Sequence, residues 1–275
     1  MELWRLLDSG PANGFRNMAV DVAMAQLAAD QPFAATLRLY GWQPAAVSLG
    51  YHQPLHDIDL EACQRDHLDV VYRPTGGRAV LHSDELTYAV VLGPSSRLFK
   101  AEIMTVYEQL SQAILAGLAL LQISAQFDRS ERALKNFSRG ELSGLCYASA
   151  NRHEIGVEGK KMIGSAQRRM DQAVLQHGSI LIGPQHCDLA FYLANRADDR
   201  RQAVHRYMKE HTVCLNEISP RPITYTEFSA ALAEGFRRTL DLEWIKTPLT
   251  AVEEERAQEL ERQARLNIQE RRERG

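Results

Sequence analysis

Residues 72–82 read Tyr-Arg-Pro-Thr-Gly-Gly-Arg-Ala-Val-Leu-His. Apolar stretches lie on either side of the glycines, Val70–Tyr72 before them and Ala79–Leu81 after, so the segment reads as strand, glycine loop, strand. Adjacent glycines allow backbone to approach a ligand closely, and their amide groups can bind an anion or a carbonyl oxygen. Arg73, Thr75 and Arg78 flank Gly76 and Gly77, and His82 follows one strand later. On pattern alone, a tight turn that happens to carry arginines fits equally well.

Working outward, the strand signals continue. Leu3–Leu7 is a short apolar run stopped by Asp8-Ser9-Gly10-Pro11, and Thr36–Tyr40 and Ala45–Leu49 form two more runs around Gly41–Pro44. Between them Met18, Val22, Ala25 and Ala28 recur at helical spacing, with Asn17 as the cap. Ile58–His67 reads as a helix and Thr87–Leu92 as a strand. Ile103, Val106, Tyr107, Leu110, Ile114, Leu118 and Leu121 make an amphipathic helix whose stripe is core packing.

Downstream, Glu154–Val157 and Lys161–Ser165 form a hairpin turning at Glu158-Gly159, and Ser179–Ile182 is another strand. Thr224 with Glu227, and Thr250 with Glu253, have capping-box spacing. The tail from Glu253 to Arg274 interleaves Glu with Arg, which reads as a solvated helix. Strands alternating irregularly with helices predict a mixed sheet covered by helices.

Two further segments carry candidate chemistry. In Val157-Glu-Gly-Lys-Lys-Met-Ile-Gly-Ser-Ala-Gln-Arg168 the small residues Gly164, Ser165 and Ala166 would let a narrow ligand chain lie against a strand. For at least one of Lys160 and Lys161, composition alone favours a solvated hairpin. Cys146, in Ser-Gly-Leu-Cys-Tyr-Ala-Ser, is on its own most simply a packing residue, although a nearby ammonium group would favour its thiolate. Cys63, Cys187 and Cys214 lack a comparable setting.

The bulk properties narrow the classes. The chain has 275 residues, 45% of them hydrophobic and 24% charged, with a formal net charge of -3, so no polyanionic partner such as nucleic acid is favoured. The start lacks a basic leader followed by an apolar run, and the apolar segment from Ile103 to Leu121 is broken by Glu108, Gln109, Ser111 and Gln112. The expectation is a cytoplasmic protein without membrane spans. The scattered cysteines show no metal or disulfide spacing.

RPTGGRAVLH (Arg73 to His82), GKKMIGSAQ (Gly159 to Gln167) and HGSIL (His177 to Leu181) stand in an order that resembles the lipoate protein ligase and octanoyltransferase superfamily. WRLLDSG near the start and SLGYHQ (Ser48 to Gln53) extend the likeness over nearly the whole chain. An arginine in the glycine loop, Arg78, and a cysteine shortly before the next strand, Cys146, make it most similar to the LipM-type octanoyltransferases. Where that type has aromatic side chains before the glutamate Glu154, this chain has Arg152 and His153.

The resemblance implies an α+β fold shared with biotin and lipoate protein ligases and class II synthetases: a largely antiparallel mixed sheet covered by helices, with a helical C-terminal tail. It also implies a catalytic domain over residues 1–220 and a helical extension over 221–275 packed on it. The implied activity is octanoyl transfer from octanoyl-acyl carrier protein, through a Cys146 thioester assisted by Lys161, to a lysine of a lipoyl carrier domain. Arg73, Thr75, Gly76, Gly77, Arg78, His82, Gly164, Ser165, Ala166, His177 and Gly178 would bind the substrate. No cofactor is implied, ATP entering only if the chain is instead a lipoate or octanoate ligase. Transfer between carrier domains is a third possibility. Arg152, Lys160, Arg168 and Arg169 cluster in the sequence near this site, a pattern that fits steering of acidic carriers and an ordinary exposed basic patch equally well.

Overall fold

Strand β1 (Glu2–Ala12) lies at the centre of what holds the chain together, because it pairs on both sides and carries a buried arginine. The computed structural model describes residues 1–128 and 154–274. After β1 come α1 (Gly14–Gln26), β2 (Ala35–Trp42), β3 (Ala46–Leu49), α2 (Leu60–Arg65), β4 (Asp69–Tyr72), β5 (Val80–His82), β6 (Glu85–Leu92), α3 (Ile103–Leu120) and β7 (Gln126–Asp128). The second part holds β8 (Glu154–Val157), β9 (Lys160–Arg169), β10 (Val174–Leu181), α4 (Asp198–His211), α5 (Leu215–Ile218), α6 (Tyr225–Leu240), β11 (Leu242–Lys246) and α7 (Ala251–Arg274).

Among the described residues the main sheet runs β11-β1-β2-β6-β10-β9-β8-β7, and a small sheet runs β4-β3-β5. From β2 to β7 every pairing is antiparallel, whereas β1 is parallel to both β11 and β2. This is the mixed, largely antiparallel sheet that the resemblance implied. One face packs Leu37, Tyr88, Val90 and Ile180 against Leu110 and Ile114 of α3 and Phe228, Leu232 and Phe236 of α6. The other face is covered by α1, the small sheet and α7. Of the apolar stripe read on α3, Val106, Leu110, Ile114 and Leu118 make that core contact, Tyr107 and Leu121 are half-buried, and Ile103, in the first turn, is exposed.

Several boundaries differ from the sequence reading for local reasons. Helix α1 starts one turn early because Asn13, not Asn17, is its cap, accepting a hydrogen bond from the Arg16 amide at 2.8 Å. Asn17 is buried inside the helix and bonds the carbonyls of Ala12 and Gly41. Helix α2 is short because Asp59 caps it at one end and His67, at φ 56, leaves helical geometry after the other. Strand β10 begins at Val174, its alternation hidden by the buried polar residues Gln176 and His177. Strand β11 follows a left-handed turn at Asp241 and has no counterpart among the strands expected from the sequence.

Residues beyond 220 supply α6, the edge strand β11 and α7. The two-way capping box at Thr250 and Glu253 opens α7 with bonds of 2.8 and 3.2 Å. Glu253 also forms a bidentate pair with Arg5 of β1, at 2.6 and 2.7 Å, with both side chains almost fully buried. That pair fixes the helix across the sheet, and Ala257 and Ile268 bury its inner face. The tail is therefore solvated on one side only.

Removing one partner of a buried ion pair leaves an uncompensated charge, which costs about 3–5 kcal/mol. Glu253→Ala is accordingly expected to lower unfolding free energy, measured by denaturant titration, by that order. Replacing both partners by methionine should recover much of the loss. Equal destabilisation in the double variant would show that Arg5 is not left stranded in the single one.

Candidate active site

A narrow pocket opens between the main sheet and the small sheet. Its wall comes from Met18 of α1, Tyr40 and Trp42 of β2, Ser48 of β3, Arg73, Val80 and His82 around the glycine loop, and Thr87 of β6. Gly164, Ser165 and Ala166 of β9 and His177, Gly178 and Ser179 of β10 complete it. The ladder of β9 and β10 brings the last two groups together, since His177 pairs with Ala166 and Gly178 with Ser165. A Cβ on Gly178 would meet the Gly164 carbonyl oxygen at 2.6 Å, so these strands approach too closely for a side chain there.

Many wall residues are polar, yet their polar atoms are tied to one another behind the surface. Asp21, fully buried on α1, accepts from Arg38 at 2.7 Å, Tyr40 hydroxyl at 2.9 Å and His177 Nδ1 at 3.1 Å. Burial alone would raise the Asp21 carboxyl, but Arg38 and His177 outweigh it and hold it below the ordinary carboxylate range. An ionised Asp21 can only accept, so His177 carries its proton on Nδ1 and its Nε2 takes the Thr75 hydroxyl proton at 2.7 Å. In this way α1 is connected through β10 to the glycine loop.

A second buried carboxylate organises the other end. Glu85 Oε1 accepts from Thr87 at 2.5 Å, Ser179 at 2.7 Å and His82 Nδ1 at 2.8 Å. Burial pushes its carboxyl up, and His82, Thr87 and Ser179 together bring it below the usual value. His82 Nε2 meets Ser48 Oγ at 2.7 Å, and the Trp42 indole stacks on the imidazole at 4.0 Å. Arg73 then ties the loop down, donating to the carbonyls of Ser48 at 2.9 Å, Gly76 at 3.1 Å and Arg78 at 2.6 Å.

The glycine loop has strict backbone demands. Gly77 sits at φ +96, where side chains are strained. A Cβ on Gly50 would fall 1.9 Å from the Gly77 carbonyl oxygen, so SLGYHQ and the loop interlock. Gly76 and Gly77 are exposed at the tip and Arg78 is half-buried. Thr75, behind His177, is buried outside the pocket wall.

Lys161 stands apart from the pocket wall, near one end of β9, and is buried in an ion pair with Glu154 of β8 at 2.5 Å. Cys146 lies outside the described residues. The chain leaves the described part at Asp128 and re-enters at Glu154, and these two residues are paired across the ladder of β7 and β8 beside Lys161. The other three cysteines are buried free thiols. Burial pushes Cys63 up to about 12 and Cys187 and Cys214 up to about 11, so each is a poor source of thiolate near neutrality.

Of the basic residues expected to steer a carrier, Arg168 is folded inward: it donates to the Pro74 carbonyl at 2.7 Å and covers the Tyr51 ring, bracing the glycine loop. Exposed Arg169 bonds the carbonyls of Phe99 and Ala101. Arg152 lies outside the described residues. Sequence reasoning missed Asp21, Arg38, Tyr40, Trp42 and Glu85, whose partners come from distant elements. The one local signal was Glu85, three residues after His82.

Similarity to known proteins agrees with this geometry. Residues 13–237 match the lipoyl protein ligase A/B catalytic domain. The chain is 37% identical over 261 residues to an octanoyltransferase LipM of Kyrpidia tusciae, covering 94% of this chain and 95% of that one. It is 36% identical to the octanoyltransferase LipM of Bacillus subtilis, covering 88% and 87%. In fold it resembles a bi-partite lipoate protein ligase of Thermoplasma acidophilum, with a TM-score of 0.77 and 22% identity over 95% of this chain and 92% of that one. A lipoate-protein ligase A bound with ATP gives 0.74 and 23%, over 95% and 94%.

Because the folded Asp21 carboxyl lies below its unfolded value, its contribution to stability is full above the unfolded value, about 4, and is lost as pH falls through the folded one. Asp21→Asn should therefore destabilise the protein by about 3 kcal/mol or more at neutral pH, by stranding Arg38. In denaturant melts taken at decreasing pH, the gap between wild type and variant should narrow below about pH 4. A gap independent of pH would contradict an ionised Asp21.

Proposed function

The chain belongs to the lipoyl protein ligase A/B catalytic-domain family, and we propose that it is an octanoyltransferase, as are the relatives it matches along nearly its whole length. In this reading the donor is octanoyl-acyl carrier protein and the acceptor a lysine of a lipoyl carrier domain. The observation that carries it is the pocket, in which buried carboxylates draw the polar atoms of the wall inward and leave an apolar lining for an alkyl chain.

Cys146 thiolate attacks the donor thioester carbonyl, the carbon–sulfur bond to the carrier breaks, and the carrier thiol leaves with a proton. The acceptor amine then attacks the new thioester, an amide forms, and Cys146 is released as thiolate while the amine loses a proton. The Lys161 ammonium group favours the Cys146 thiolate and passes the proton between these steps, with Glu154 orienting it. Gly76 and Gly77 are exposed, and amides of their loop, or those near Ser165 and Ala166, would stabilise a developing oxyanion by about 3 kcal/mol per well-placed donor. The donor is already activated as a thioester, so the chemistry needs no nucleotide. A free catalytic thiol suits a reducing cytoplasm.

Wild-type protein incubated with octanoyl-acyl carrier protein, without ATP, should gain one octanoyl group by intact mass, and Cys146→Ser should not form the thioester. Lys161→Ala should slow acceptor octanoylation by about a hundredfold. Strict dependence on ATP together with an active Cys146→Ser protein would instead identify a ligase.

Chain-length preference gives a separate check. Each buried methylene contributes about 0.8 kcal/mol, so kcat/KM should fall about fourfold for each carbon removed from the octanoyl donor. A flat response from four to eight carbons would place the acyl chain outside the pocket.

A further inference from the structure

We infer that the backbone N–H of Ser165 is the donor that holds the acyl carbonyl oxygen during transfer, an assignment that rests on the octanoyltransferase reading. It follows from the direction in which each amide of β9 points. The hairpin of β9 and β10 closes with the Met170 amide donating to the Ala173 carbonyl at 2.8 Å, just beyond the pair Arg169 and Val174. Along an antiparallel ladder, hydrogen-bonded pairs alternate with pairs whose amides point away from each other. Counted from that closure, Arg168, Ala166 and Gly164 direct their amides to β10, and Gln167 and Ser165 direct theirs away from it.

On the side to which Ser165 points, β9 meets β8, whose ladder pairs Ile155 with Ile163 and ends one residue later at Glu154. Ser165 lies past that end, and among the described residues nothing accepts from its amide. The reacting groups converge on the same place. Lys161 Nζ bonds Glu154 Oε1 at 2.5 Å, and Glu154, next to Ile155, falls opposite Gly164 when the register is continued. The ammonium group is thus carried along β9 to the peptide that joins Gly164 to Ser165. The connection that bears Cys146 returns at Glu154 as well.

Ser165 serves the pocket through its main chain. Its hydroxyl lies on the opposite face of the sheet, 2.7 Å from the hydroxyl of Tyr88, which is buried in the core under α3 and α6 while its neighbour Thr87 lines the pocket. Gln176 Nε2 donates to the Tyr88 hydroxyl at 2.9 Å, so the phenol proton turns to Ser165. A Cβ on Gly178 would meet Ser165 Oγ at 2.7 Å, so the glycine leaves the space this contact needs. With the side chain held there, what Ser165 contributes to the pocket wall is backbone.

The amides of Gly76 and Gly77 are the competing donors. Both residues are exposed, whereas Ser165 is half-buried, and a donor stabilises developing charge most where water is excluded. As the acyl carbon becomes tetrahedral, an electron pair of its carbonyl bond moves to oxygen, and the Ser165 N–H bond to that oxygen tightens without giving up its proton. The pair returns to the carbonyl bond when the carbon–sulfur bond breaks. Stabilisation confined to that stage raises kcat and leaves KM unaltered.

Exchange of a single atom tests the assignment. Ser165→Ala keeps the amide, and lactic acid incorporated at position 165 has the same methyl side chain with an ester oxygen in place of the N–H. Gln167→Ala and lactic acid at position 167 repeat the exchange at the other outward amide, which controls for the weaker ester carbonyl. Each full-length protein is given octanoyl-acyl carrier protein and a lipoyl carrier domain. The ester at 165 is expected to lower kcat about a hundredfold relative to Ser165→Ala with KM little changed, and the ester at 167 to match Gln167→Ala. Equal kcat for ester and amide at 165, or an equal loss at 167, would overturn the assignment alone. If wild type and Ser165→Ala acquire no octanoyl group by intact mass, the transferase reading falls and the assignment with it. Amide hydrogen exchange of the octanoylated wild type needs no variant: it should slow at Ser165 and not at Gln167, and unchanged exchange at Ser165 would also overturn the assignment.

Discussion

A single buried carboxylate, Asp21, ties the architecture to the pocket. It lies on α1, it neutralises Arg38 and orients Tyr40, both from β2, and it holds His177 from β10. Through His177 it reaches Thr75 and so the base of the glycine loop. Buried charges are costly unless paired and fully hydrogen-bonded, and each member of this group meets that condition only when α1, β2 and β10 are all in place. The position of the loop is therefore set by the fold of the whole sheet rather than by local turn geometry.

The same economy of polar atoms explains how a wall rich in histidine, serine and threonine can bound an apolar space. Glu85 gathers the hydrogens of Thr87, Ser179 and His82, and Asp21 gathers those of Tyr40 and His177. What remains facing inward is carbon: the Trp42 and Tyr40 rings, Met18, Val80, Ala166 and backbone of Gly164 and Gly178. Selectivity for an alkyl group then follows from burial, while the polar network keeps the wall rigid.

The strands near the glycine loop, the long core helix and the capping boxes were legible in the sequence because each is announced by local chemistry: paired glycines, a helical apolar stripe, Thr followed by Glu. Arg73, His82, Gly164–Ala166, His177 and Gly178 were legible as candidates, and they converge on one pocket. Asp21 and Arg38 were not, since a charged residue in a helix or strand reads as solvent-facing until its partner is known, and theirs lie on different elements. Asn17 departs from the expected cap for the same reason: its side chain serves Arg38 and the carbonyls of Ala12 and Gly41. Strand β11 escaped because a short edge strand beside a parallel neighbour has no hairpin signal.

Under the proposed function an alkyl chain lies between β9, β10 and the small sheet while Cys146 and Lys161 act on its carbonyl carbon. A crystal structure of the octanoylated protein tests this most directly. The chain should lie against Gly164, Ala166 and His177, its carbonyl carbon bonded to Cys146 Sγ and within reach of Lys161 Nζ. An octanoyl group attached elsewhere, or lying outside that pocket with Lys161 remote from its carbonyl, would contradict the account.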